Sequence, residues 1–91
     1  MSLSEKFIDI ANDICTIINS DISLEMKKNY LKTFTLRLDK LNKMFSIEER
    51  NLYKIKMFES HLTKVFACQE QAMRMLDKLQ IQIEEKEAGL S

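Results

Sequence analysis

The stretch LTKVFACQEQAMRMLDKLQIQI, residues 62–83, decides the fold. Leu62, Val65, Ala72, Leu76, Leu79 and Ile83 recur every three or four residues, with Gln69 as the one polar member of the row. That spacing holds side chains on one face of an α-helix and builds a heptad seam. Phe66 and Met73 widen the seam to one side. Upstream, Ile55 and Phe58 continue the row, and no breaker follows until Gly89. The pattern predicts a helix over 47–88, about 60 Å long at the usual rise per residue. Gly89-Leu90 has the form of a C-terminal cap with its hydrophobic contact.

Ser46, with Glu49 three residues later, has the spacing of a capping box and sets the expected start of that helix. Before it, Leu24, Leu31, Phe34, Leu38, Leu41 and Phe45 form the seam of a second helix over 24–45, roughly 33 Å long. Tyr30 and Met44 lie on its flank. Asn19, Ser20, Asp21 and Ser23 punctuate the chain, ending one helix and capping the next. The first helix, over 3–19, opens on another capping box, Ser2 with Glu5. Its apolar residues fall on two adjoining stripes, Leu3, Phe7, Ile10, Ile14, Ile17 and Ile8, Ala11, Cys15, Ile18. A face that wide is expected to touch two neighbours.

Hydrophobic residues make up 45% and charged residues 31% of the chain, a composition that folds. Proline is absent and glycine occurs once, which leaves sheet hairpins without their turns. Ninety-one residues make a single domain, 1–91, with a small core. The expected fold is all-α: a three-helix antiparallel bundle, or a long helical hairpin with helix one in line with helix two. In either case a C-terminal helix of about 40 residues dominates, and the chain is expected to dimerise.

Fourteen bases balance fourteen acids, so no global field draws the chain to nucleic acid or to an anionic membrane. Charge is nevertheless segregated. Residues 2–22 hold four acids and one base, whereas residues 24–45 hold Lys27, Lys28, Lys32, Arg37, Lys40 and Lys43 against Glu25 and Asp39. The basic run reads as a solvated surface facing the acidic helix, each exposed pair contributing only a few tenths of a kcal/mol. Glu84, Glu85 and Glu87 sit where the helix dipole disfavours anions, so that end frays or meets a basic partner. Cys15 and Cys68 read as small buried hydrophobes of a reducing compartment. Asp9, Asn12 and Asp13 interrupt the first apolar stretch, against a secretory leader or a membrane span. The expected location is cytoplasmic.

Candidate chemistry is sparse. His61 followed by Lys64 resembles the arrangement in histidine phosphotransfer domains, where an exposed imidazole accepts a phosphoryl group and a lysine steadies it. Val65 stands where that pattern has a glycine, which puts the approach of a receiver domain in doubt. Cys68 is one face-repeat from His61 but about 10 Å along the helix, beyond activating reach. A single histidine and no cysteine cluster argue against a metal site, and one glycine against a phosphate loop. No catalytic, metal or cofactor residues and no small-molecule substrate are expected.

Length carries the functional expectation. With helices one and two short, the second half of helix three would project uncovered, and an apolar stripe of that size needs a cover. The expected partner-binding residues are Phe66, Met73, Leu76, Leu79 and Ile83, with the wide face of helix one as a second candidate. Met57, Met73 and Met75 suit an adaptable contact surface. The leading reading is a small non-catalytic helical module (adaptor, chaperone-like or regulatory subunit) binding a second copy or another protein. A phosphotransfer-type domain using His61, or a small helical immunity or inhibitor protein, are the alternatives.

Overall fold

The computed structural model describes residues 1–53 and 59–90, with side chains described for all of these except 51–60 and 90. Three helices, α1 (Leu3–Ile18), α2 (Leu24–Tyr53) and α3 (Glu59–Leu90), make up the fold, and no strand occurs among the described residues. Local signals fix both ends of α1. The Ser2 hydroxyl accepts the Glu5 N–H at 3.2 Å and donates to Glu5 Oε1 at 3.1 Å, satisfying an orphan first-turn donor. At the other end the Asn19 N–H reaches the Cys15 carbonyl, and the Ser20 N–H and hydroxyl both reach the Ile17 carbonyl. Ser23 caps α2, its Oγ accepting the Met26 N–H at 3.2 Å.

The next boundary differs from the sequence expectation. Ser46 does not begin a helix; α2 runs through it to Tyr53. No glycine or proline lies between Ser46 and Tyr53, so continuing keeps backbone bonds that a serine cap only partly replaces. Continuation also brings Glu48 to His61, Oε1 to Nε2 3.1 Å. The expected helix over 47–88 is thus divided: its first residues belong to α2, and α3 starts at Glu59. Ile55, Met57 and Phe58 lie outside the described residues. Gly89 is helical rather than a terminal cap, since α3 includes it.

This shift removes the length mismatch. α2 has 30 residues and α3 has 32. Helix α1 folds back over both, which excludes the in-line hairpin. Phe7 meets Phe45 edge-on with ring centroids 6.3 Å apart, and Arg37 pairs with Asp13 at 3.1 Å. Toward α3, the Ile18 carbonyl accepts from Gln82 Nε2 at 3.0 Å. Between α2 and α3 the contacts run in opposite order along the two helices: Lys28 with Glu87, Asn42 with Gln69, Glu48 with His61.

The core follows the predicted seams. Phe7, Ile10 and Ile14 of α1, Phe34, Leu38 and Phe45 of α2, and Val65, Ala72 and Leu79 of α3 are buried. Each fully covered large side chain contributes roughly 1.5–3 kcal/mol. The broad face of α1 touches two neighbours, yet its second stripe is only half used, because Ala11 is buried while Ile8 and Cys15 are exposed. Gln69, the polar interruption, donates to Asn42 Oδ1 at 2.7 Å.

Lys27 was expected on a solvated surface and is instead 1% exposed. Its ammonium donates to the Ile18 carbonyl at 3.3 Å and to Gln82 Oε1 at 2.8 Å, so the end of α1 is capped by side chains of α2 and α3. Burial lowers the Lys27 pKa below its ordinary 10.5; the neighbouring Lys86 adds to this and Asp21 opposes it. Unfolded, Lys27 keeps its proton up to 10.5, while the folded chain releases it earlier. Between those two points unfolding takes up a proton, so stability rises with pH there. Urea denaturation of the wild-type chain and of Lys27→Met, run in parallel, should show the wild type gaining on the variant as pH climbs toward 10.5. A difference that stays constant would mean that the folded ammonium titrates like a free lysine.

Candidate functional site

With the core closed, large apolar side chains stay exposed on more than one face: Met26, Tyr30, Met44 and Ile47 along α2, and Phe66 and Met73 along α3. Phe66, Glu70, Met73, Asp77, Gln80 and Glu84 recur at intervals of four and three along α3, and all are exposed. The stripe faces the α2 side of α3, because the Phe66 ring meets Phe45 edge-on with centroids 4.8 Å apart. Phe45 is 2% exposed, so it fixes the ring of Phe66, which remains 46% exposed. Met73, two turns on, is also 46% exposed. Alongside, Lys28, Lys32, Thr35, Asp39 and Lys43 follow the same spacing on α2. Leu31, Lys32, Thr35 and Leu36 line an open apolar depression of about 410 Å³ there. An acidic stripe that carries two apolar side chains therefore runs beside a basic strip.

Of the five expected partner-binding residues, Phe66 and Met73 carry this surface. Leu79, at 0% exposed, and Ile83, at 4%, belong to the chain's own core, and Leu76 is half-buried against it. The reason is the path of α1, whose C-terminal end docks beside Gln82 and covers that part of α3.

The other candidates separate. His61 Nε2 lies 3.1 Å from Glu48 Oε1, so the nitrogen that would be exposed in a phosphotransfer site faces a carboxylate. Val65 beside it is fully buried in the core. The cysteines were expected to be buried, but Cys15 is exposed and Cys68 half-buried, and both are free thiols. Cys15 lies at the exposed margin of α1's second stripe, and the Asn19 amide donates to its sulfur at 3.5 Å. Both line an open groove of about 340 Å³ between α1 and α3, with Ile8, Ala11, Ala67 and Met75. No three His, Cys, Asp or Glu side chains gather as a metal site among the described residues. The basic run is broken up: Lys27 is buried, Lys28 pairs with Glu87 at 2.7 Å, and Arg37 pairs with Asp13. The Glu87 carboxylate raises the Lys28 pKa.

Sequence reasoning missed Lys27 as a cap, though a signal existed. A lysine in the first turn of α2 opposes that helix's dipole, which suggests that its charge serves another helix end. The α2 and α3 strips were also missed, because their alignment depends on the height at which the two helices pack against each other.

Burial separates core from surface within one helix, and substitution reads the difference. Leu79→Ala should destabilise the chain by about 2–5 kcal/mol, whereas Met73→Ala should change stability by about 0.5 kcal/mol or less. Chemical denaturation with a helical signal measures both. Equal losses would erase the distinction between the two positions.

Comparison of the chain with protein-family models, with curated proteins and with solved structures gives no match in any of the three.

Proposed function

We propose that this chain is a non-catalytic helical interaction module that binds protein through its α2–α3 face, with Phe66 and Met73 at the centre. One observation carries the reading: two large apolar side chains stay half exposed on a single helical stripe after the bundle has closed its own core. Scattered exposed apolar residues are ordinary. A ring held edge-on by a buried aromatic is different, because it meets a partner with little conformational entropy left to lose. Aromatic anchors of that kind, ringed by polar groups, dominate binding at protein interfaces.

Within this reading the bundle is an antiparallel up-down-up scaffold, and its partner is protein rather than nucleic acid, membrane or a small substrate. Zero net charge supports that choice, since the chain as a whole has no excess of base to steer it toward a polyanion. No helix among the described residues is long and apolar enough to cross a membrane.

Affinity capture from the native host tests the proposal, with a differently tagged copy of the chain included among the possible prey. The wild-type chain should retain a protein that the Phe66→Asp/Met73→Asp variant loses. Ile8→Asp, in the α1–α3 groove, should retain it. Equal retention by all three, with helicity intact, would end the claim for this face.

A further inference from the structure

We infer that the occupant of the α2–α3 face is a second copy of this chain, docked about a two-fold axis along the bundle so that α3 of each copy lies on α2 of the other. This rests on reading that face as the binding surface. The argument is charge complementarity. The α3 stripe carries Glu70, Asp77 and Glu84 and no base, while the α2 strip carries Lys28, Lys32, Lys43 and Arg50 against two acids, Glu25 at its N-terminal end and Asp39. Lys28 is satisfied within its own chain by Glu87, and Glu70 already pairs with Arg74 of its own helix at 2.7 Å. Lys32, Lys43 and Asp77 form no ion pair among the described residues.

Symmetry then selects the geometry. A two-fold axis crossing the helices would lay the acidic stripe on its own copy. An axis along the helices exchanges the strips, so acid meets base twice from one self-complementary patch. Rotation about that axis preserves height, and the contacts within one chain fix the heights. From Lys28–Glu87 and Asn42–Gln69, Lys32 is level with a point between Asp77 and Glu84, about 3 Å of rise from Glu84 and about 7 Å from Asp77. Lys43 is level with a point about 3 Å of rise from Glu70. Asp39, the acid in the middle of the basic strip, falls level with Met73, next to Arg74. Phe66 and Met73 of each copy lie against α2 of the other, and the four facing helices form the centre of a six-helix assembly.

Charge exchange tests this directly. Sedimentation of the full chain from about 10 μM to about 1 mM should show a dimer that weakens with added salt, as screening requires. Lys32→Glu/Lys43→Glu and Glu70→Lys/Asp77→Lys should each weaken self-association at least about tenfold. Mixed in equal amounts, they should recover wild-type association to within about threefold, because every facing pair is again opposite in sign. If either variant loses helicity, Lys32→Gln/Lys43→Gln replaces it, with weaker dimers and a flatter salt dependence expected. A wild-type chain monomeric throughout the range overturns the second copy as occupant, while a different captured protein would still uphold the binding face. Failure to recover on mixing overturns the exchanged geometry. A monomer that instead sediments with vesicles containing phosphatidylserine, and loses this on Lys32→Glu/Lys43→Glu, overturns the inference in favour of an anionic surface.

Discussion

A helix of sixteen residues is close to the shortest that persists in water, and α1 survives through what it is pressed against. Phe7, Ile10 and Ile14 expose nothing to solvent, and they lose their cover if either α2 or α3 moves away. The converse also holds. Without α1, one long side of the α2–α3 pair would be open, and Phe45, Val65 and Leu79 would meet water. Packing of α1 into the groove between its neighbours is therefore the constraint on which the rest of the bundle depends. It also decides which apolar residues are left for anything else.

Apolar packing alone tolerates sliding, and two polar contacts limit it here. The amide pair Asn42–Gln69 sits midway along α2 and α3, where a shift of one turn would leave both side chains without a partner. At the far end Lys27 and Gln82 converge on the Ile18 carbonyl, tying three helices at one point. A lysine ammonium held under cover is costly, which its lowered pKa reflects. The cap that it gives α1 is the structural return.

The heptad seam and both ends of α1 were legible because they are local: a serine cap, a polar punctuation of Asn19 to Ser23, and a three-four repeat need no tertiary knowledge. Ser46 misled for the opposite reason. Ser-x-x-Glu satisfies a helix start, but serine in a helix interior loses only a few tenths of a kcal/mol, so packing decides. With α2 running through Ser46 to Tyr53 and α3 described from Glu59, α2 is longer than expected, α3 is shorter, and α1 folds back over both. The exposure of Leu79 and Ile83 was inferred from the wrong lengths and fell with them. Phe66 and Met73 did not depend on the lengths, since they flank the seam whatever covers it. The facing acidic and basic strips could not be read before the height of α2 against α3 was known.

The rings of Phe7, Phe45 and Phe66 form an unbroken edge-on series from the heart of α1 to the surface of α3. Phe45 can turn over only when both neighbours yield, because interiors are packed too densely for a ring to rotate in place. Its flipping rate is thus set jointly by a buried residue and by one open to solvent. Anything seated on Phe66 would slow the ring beneath it, so the aromatic resonances of the interior record events that take place outside.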